Sequence, residues 1–503
     1  MKTKQTIAWI LTLLTAASTL LSCASSSDEK HGSQTQDTAV QTQQPENTDT
    51  TDSDTTRELS ELEKRQLIDD EIGEFDFNNR PFIIAVGEDF VWEFESETET
   101  GDPCNDAIWA RNLRLEDRFN TVIGTVMLDT DETIDLIKTG QTDSFTVCSQ
   151  EDYLVYTLVE QGVCSNWLNI DCMNLEKPWY NQLHNEGSTI MGTLFALGSD
   201  MSLTSMTYTY AIFFNKRLAE NYGMTSESLY QTVYDGNWTL DKLISYTKDV
   251  YSDLNMNNTP DEEDLYGFSY RLSDPAFMWL PSFGHSYTSV NEDGTLSFNF
   301  LTDTTIGAFE KISEWHDTQG VYVGGSHDSS VQMFTNGYRV FAPLMFNDCF
   351  RGLRSMEDVY SMLPYPKYDE KQEEYYISAM DEFQVFLLPK ITTEESYEFV
   401  GTMMEAIAAE TYKTVYPVFY DSALKGRYSK EPETAKMIDL IMKNRNFEFA
   451  EQFGESYFLR LPYLFADLLI EDSSNIASAW DVKKKMIDRR VSKGFYDLFI
   501  SNE

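Results

Sequence analysis

Short apolar runs alternating with amphipathic stretches constrain this chain more than any other feature. "RPFIIAV" at 80–86 follows a polar stretch and reads as a first buried strand. "NDAIWARNLRLEDRFN" at 105–120 places Ile108, Leu115 and Phe119 on one helical face and Arg111, Arg114 and Arg118 on another. "YRVFAPLMF" at 338–346 and "FQVFLLP" at 383–389, ended by Pro389, read as further buried strands. "ITTEESYEFVGTMMEAIAAETYKTVY" opens with Thr392 and Glu395 in capping-box spacing and continues with a stripe of Phe399, Met403 and Ile407. This alternation predicts α/β lobes with largely parallel sheets. The core-forming part spans about 430 residues, too long for one core, so two lobes are expected. No internal repeat is present.

The first residues are of another kind. Lys2 and Lys4 precede an apolar run from Ile7 to Leu21 that is too short to span a bilayer. Leu20-Leu21-Ser22-Cys23, followed by Ala24 and Ser25, resembles a bacterial lipobox, in which Cys23 is lipidated and becomes the first mature residue. Acyl chains would then hold the protein to the membrane by apolar burial. Residues 24 to about 70 are rich in Ser, Thr, Gln and Asp with almost no large apolar side chain, and are expected to form a disordered tether.

The formal net charge is −45, which argues against nucleic acid as a partner, because phosphate binding needs basic patches. Besides Cys23 the cysteines are Cys104, Cys148, Cys164, Cys172 and Cys349, an odd set that makes no disulfide framework. Cys164 and Cys172 are near enough in sequence to bridge, with plain thiols as the simpler reading. No G-x-S-x-G elbow, P-loop or dinucleotide fingerprint occurs. The histidines, His31, His184, His285, His316 and His327, make no H-x-H or H-E-x-x-H pair, which argues against zinc. A glycosidase-type carboxylate pair has no local signature and stays open in so acidic a chain.

Aromatic residues make up 14% of the chain, and several stand beside polar groups in "KPWYNQ" (177–182), "SDPAFMWLPSFGHSY" (273–287) and "MFNDCFRG" (345–352). A sugar site needs rings for its C–H faces and Asp, Asn or Arg for its hydroxyls. Core packing is the ordinary role of any one such ring. A second feature is "SDLNMNNTPDEEDLYGF" at 252–268, where Asp253, Asn255, Asn257, Asp261 and Asp264 fall at positions 1, 3, 5, 9 and 12 of an EF-hand-type spacing. It reads as a structural clip. It either holds calcium or is an ion-free turn knitted by its Asn and Asp side chains.

Several segments, in order along the chain, resemble the extracellular solute-binding proteins of family 1 that serve carbohydrate ABC importers. They are "DAIWARNLRLEDRFN", "LNIDCMNLEKPWYNQ", "GTLFALGSDMSLTSMTYTYAIFFNKRLAENYG" with its "FFNKRL", "DGNWTLDKL", "MLPYPKYDEKQEEYY" and "EAIAAETYKTVYPVFYDSALKGRYSKEPETAKMIDLI". The likeness covers roughly residues 80–445. The acidic loop is similar to a family loop too, with Met256 and Asn258 in place of two glycines and Asn257 in place of an aspartate. The stretch "DSFTVCSQEDYLVY" departs from the usual wording.

The resemblance implies a periplasmic-binding-protein-like clamshell of two α/β lobes joined by hinge segments. Carried onto this sequence, 1–22 is a lipoprotein signal peptide and 23–70 the lipidated Cys23 with its tether. Residues 71–200 and 384–430 form lobe 1, 201–383 form lobe 2, and 431–503 are helices packing mainly on lobe 2. The implied ligand contacts are Asp152 and Tyr153 in a first-lobe loop, Asp200 in the crossing segment, and Phe277, Trp279, Asn347, Asp348, Phe350 and Arg351 in lobe 2. A core or hinge role is the alternative for each. The implied function is capture of a carbohydrate, an oligosaccharide or sugar derivative, by a lipid-anchored monomer on the outer face of the cytoplasmic membrane. Delivery is to ABC permease subunits, with no cofactor required and a structural calcium in the acidic loop left open. Presentation of ligand to a membrane sensor and hydrolysis of a surface glycan are the rival readings.

Overall fold

Both faces of the first strand are covered. Phe82, Ile84 and Val86 enter one apolar core, while Ala85 and Ile83 pack into another. The computed structural model describes residues 61–500, apart from 142, 272–273, 421–431, 472 and 474. The signal-peptide expectation and Cys23 lie outside the described residues.

The strands run β1 Arg80–Val86, β2 Thr121–Met127, β3 Val147–Glu151, β4 Cys164–Ser165, β5 Ala196–Leu197, β6 Tyr210–Asn215, β7 Tyr251–Ser252 and β8 Leu265–Tyr270. They continue as β9 Thr288–Val290, β10 Leu296–Phe298, β11 Val321–Val323, β12 Arg339–Met345, β13 Tyr360–Leu363, β14 Ile377–Ser378, β15 Gln384–Pro389 and β16 Arg445–Asn446. One sheet has the order β2-β1-β3-β15-β4, with β5 also on β15. The other has the order β11-β8-β12-β6-β13, with β7 on β8. The pairs β9–β10 and β14–β16 stand apart from both.

Each sheet is mixed rather than largely parallel. β1 runs parallel to β2 and β3, but β15 is antiparallel to β3, β4 and β5. In the second sheet β8 is parallel to β11 and β12, whereas β6 is antiparallel to β12 and β13. The reason is connectivity. β6 and β15 are the strands that enter each sheet directly from the other lobe, so they approach from the opposite end to strands preceded by a helix of their own lobe.

The helix Pro103–Phe119 starts as its sequence dictates: Asp102 accepts from the backbone N–H of Cys104 and Asn105, and Pro103 fills the first turn. One arginine of its polar face is enclosed, while the other two stay exposed and pair with neighbouring carboxylates. Arg111 is buried and donates to the Phe94 carbonyl at 2.7 Å, to Asn112 at 2.9 Å and to the Thr411 hydroxyl at 3.1 Å. Arg114 pairs with Glu410 at 2.7 Å and Arg118 with Asp70 at 2.6 Å. Residues 61–70, expected as the end of the tether, lie against the body, with a helix at Glu61–Gln66 and Arg65 over the Tyr412 ring.

The long helix Glu394–Glu410 is capped by Thr393 without a side-chain bond, so the box expected from Thr392 and Glu395 does not form. This helix covers one face of the first sheet through Phe399, Val400, Met403 and Ile407. It continues as a π turn at Thr411–Val415 and a short helix at Tyr416–Val418, which brings Phe419 toward the second lobe. The C-terminal residues touch both sheets' surroundings. Helix Pro432–Lys443 lies against β13, while Phe499 stacks near Phe195 and its carbonyl accepts from Thr193. The five described cysteines form no disulfide with one another, and Cys148, Cys164 and Cys349 are buried while Cys172 is exposed. Among the described residues no helix is long and apolar enough to cross a membrane.

Candidate functional site

In open α/β sheets ligands collect beyond the carboxyl ends of the parallel strands. Here those ends carry the turn Glu88–Glu93 after β1, residues 152–154 after β3, and the helix Phe346–Phe350 after β12. The turn is tied to the crossing segment. Glu93 is fully buried and accepts from the Thr204 amide at 2.8 Å and its hydroxyl at 3.0 Å, and the Gln384 amide donates to the same hydroxyl at 3.0 Å. Burial pushes the Glu93 carboxyl up to about 8, against the pull of the Thr204, Leu203 and Ser202 hydrogen bonds.

A cavity of about 460 Å³ lies between the lobes, lined by three rings from three different elements. Trp92 comes from the turn after β1, Phe350 from the helix after β12 and Phe419 from the crossing helix. Trp92 and Phe419 stack with centroids 5.9 Å apart, and Phe350 lies 6.4 Å from Phe419. Asn347 and Arg351 add an amide and a guanidinium. The buried Thr207 hydroxyl lines the same cavity and has no hydrogen-bond partner among the described residues. The Cys104 thiol there is pushed up to about 12 by burial, so it is a neutral thiol, not a nucleophile.

Two further cavities continue the groove. One of about 480 Å³ shares Asn347 and Arg351 and adds Tyr208, His327, Asp348 and Glu382. Asp348 is fixed by His327 at 2.9 Å and by the Met345 amide at 2.9 Å. Burial pushes the Tyr208 hydroxyl up to about 12, so it stays a donor. The other, of about 230 Å³, shares Glu382 and adds Tyr153, Asp381, Glu451, Arg460 and Tyr463. The groove thus offers rings, donors and acceptors from both lobes.

The residues expected from the sequence are distributed unevenly. Asn347, Phe350 and Arg351 line the first cavity, Asp348 the second and Tyr153 the third. Asp152 is turned inward, bonded to His184 at 3.1 Å and Gln452 at 2.9 Å. Phe277 and Trp279 are fully buried. Phe277 packs on Tyr463, and Trp279 packs among Phe268, Phe283, Trp315 and Tyr365. These two are core rings rather than platforms, because consecutive short helical turns at Asp274–Phe277 and Trp279–Ser282 fold that stretch back on the sheet.

Asp200 lines a different cavity of about 910 Å³, with Tyr180, Tyr412, Tyr416 and Arg445. That cavity is larger, but crossing and C-terminal elements line it rather than strand ends of both sheets. The groove through Trp92 and Arg351 is therefore the better site. Burial pushes the Asp200 carboxyl up to about 6, with Arg445 and Arg65 pulling it back.

Trp92, Thr207, Tyr208, Phe419 and Glu382 were missed from the sequence. The one usable signal was position: "GEDFVWEF" directly follows the end of a buried parallel strand.

The acidic loop closes on itself. Asn255 and Asn257 donate to Asp261 at 3.1 and 2.7 Å, and the Asn258 amide donates to Asp253 at 2.9 Å. Asp264 accepts from the Leu254 amide at 3.0 Å and the Tyr251 hydroxyl at 2.9 Å. Met256 and Asn258 take left-handed φ of 58° and 59°. Among the described residues no three His, Cys, Asp or Glu side chains are grouped to hold a metal ion. Arg339, 1% exposed, braces the loop from inside by donating to the carbonyls of Glu262 and Asp264.

No protein-family model matches the sequence, and no curated protein does. Solved structures do match. A cyclo/maltodextrin-binding protein complexed with maltotetraose aligns at TM-score 0.52 and 13% identity, covering 84% of this chain and 99% of that one. The fold is that of the two-lobed periplasmic binding proteins. The maltose/maltodextrin-binding domain of Bdellovibrio bacteriovorus bound to maltotriose aligns at 0.51 and 13% identity, over 82% and 100% of the two chains. A family 1 extracellular solute-binding protein of Bifidobacterium longum subsp. infantis aligns at 0.50 and 12% identity, over 81% and 99%. At such identities the likeness establishes the clamshell of two α/β lobes, and the residues in the cleft have to be read from this chain.

Proposed function

We propose that this chain is the solute-binding subunit of a carbohydrate ABC importer. It captures an oligosaccharide between its lobes and hands it unchanged to the permease. The observation that carries this reading is the convergence of Trp92, Phe350 and Phe419 on one cavity beside Asn347, Arg351 and the unpartnered Thr207 hydroxyl. Pyranose faces stack on such rings, and sugar hydroxyls satisfy such polar groups. Rings from both lobes mean that a sugar touching all three favours the closed clamshell, the form a permease would recognise. The aligned structures with maltotetraose and maltotriose support a sugar as the cargo. Catalysis is not part of this reading, and the protein acts as a monomer. A lipid on Cys23 holds it on the outer face of the cytoplasmic membrane, with the polar stretch behind as tether.

The test is thermal unfolding of the full-length chain with a panel of mono- and oligosaccharides. A ligand at a hundred times its Kd adds about 2.7 kcal/mol to stability. A clear rise with one sugar, recovered intact by mass spectrometry, is expected. A panel without any shift removes the carbohydrate claim, and a cleaved sugar replaces binding by hydrolysis.

A further inference from the structure

The end of the groove farthest from Trp92 has an unusual charge. Its cavity of about 230 Å³ is lined by Asp381, Glu382, Glu451 and Glu455, against Arg460 as the single cation among the described residues. Arg460 is already paired with Glu455 at 2.5 Å and lies over the Tyr463 ring. Asp381 and Glu451 are each 3% exposed. Asp381 accepts from the Tyr463 hydroxyl at 2.6 Å, but Oε1 of Glu451 is buried with no hydrogen-bond partner among the described residues. Behind them stand Asp152, held by His184 and Gln452, and Glu448, held by Ser286, Tyr287 and Thr288. Among the described residues no Lys or Arg pairs with Asp381, Glu382 or Glu451.

A buried acceptor without a donor is costly, and a buried anion without a cation more so. A cationic donor entering the cavity would relieve both. It would also meet the rings of Tyr153 and Tyr463, which attract cations through their faces. A neutral sugar hydroxyl could give Glu451 a donor but no charge.

We infer that the cavity of Tyr153, Asp381, Glu382, Glu451 and Tyr463 takes a protonated amine of the ligand, so that the captured carbohydrate is an amine-bearing one. This rests on the carbohydrate reading and narrows it. Until a cation binds, a proton takes its place: burial and the neighbouring carboxylates push both Asp381 and Glu451 above the usual carboxylate range. When the ammonium enters, that proton leaves to solvent, and the charge of the pocket balances.

The experiment is titration calorimetry of the full-length chain near neutral pH, in two buffers of different ionisation heat. The probes are a β-1,4-linked glucosamine trimer, its N-acetylated form, the glucose trimer and spermidine. The glucosamine trimer is expected to bind at least tenfold more tightly than the glucose trimer, with net proton release. Glu451→Gln should abolish that preference and the proton release. Glu382→Gln, at an exposed position, should weaken amine binding without threatening the fold. Glucose or N-acetylated trimer binding as well as the amine overturns this inference and leaves the carbohydrate reading standing. Spermidine binding with no sugar binding keeps the amine pocket and overturns the carbohydrate reading. Absence of binding by all four overturns both.

Discussion

The Nη1 atom of Arg339 donates to the backbone carbonyl of Asp264 at 2.7 Å. The same guanidinium reaches the Glu262 carbonyl at 2.8 Å and the Ser269 hydroxyl at 2.6 Å, and it lies 5.1 Å from the ring centroids of both Tyr266 and Tyr322. A buried side chain on a neighbouring strand thus fastens the loop whose spacing is of the EF-hand type. Replacing Arg339 by Met keeps the stem and removes the donors, leaving buried carbonyls unpaired. Each such group costs about 1–3 kcal/mol, so R339M should lose roughly 3 kcal/mol in urea unfolding. An unchanged midpoint would mean that the loop is held by its own side chains alone.

Because the oxygens of Asp261 and Asp264 already have protein donors, a chelator should not loosen the loop. The melting temperature is expected to be the same in EGTA as in millimolar calcium. A rise with calcium that Asp253→Ala abolishes would show an ion doing the fastening.

Ring position separates binding from folding. Trp92→Ala and Arg351→Ala should weaken sugar binding tenfold or more, the order expected for losing a stacked ring or a charged donor, with little change in stability. Trp279→Ala should do the reverse and lose about 3–5 kcal/mol of stability, since its ring is fully enclosed. Calorimetry beside urea unfolding reads both. Weakened binding in well-folded W279A would return that ring to the cleft.

Glu93 gives a pH signature. Its carboxyl is near 4.5 when unfolded and about 8 when folded, so the folded chain keeps a proton that the unfolded chain loses. Its contribution to stability is complete below about pH 4.5 and is lost as pH rises toward 8. Glu93→Gln is nearly isosteric and does not titrate. It should gain on the native chain across that window by a few kcal/mol, an order-of-magnitude figure. A stability difference that does not change with pH would show that Glu93 stays ionised in the fold.

Much of the scaffold was legible because burial leaves a period. The runs at 80–86, 338–346 and 383–389 became β1, β12 and β15, and the stripe of Phe399, Met403 and Ile407 became the helix face on the first sheet. The burial of Arg111 was not legible, because the groups that enclose it, the Phe94 carbonyl and the Thr411 hydroxyl, come from segments outside its helix. The cleft was legible only where residues follow a recognisable strand, as Asn347 and Arg351 do. Trp92, Thr207 and Phe419 converge from positions far apart in the chain, and no local spacing records that. Trp279 looked like a platform because it neighbours Pro and Ser. Its short helical turns fold it inward instead.

The place of β15 between β3 and the short β4 and β5 has a consequence for how the molecule is made. Until Pro389 has emerged, the first sheet has a gap through its middle, and the helix that covers one of its faces comes later still. The second lobe's central strands, by contrast, are complete once Leu363 has been made. The lobe that begins first is therefore finished last.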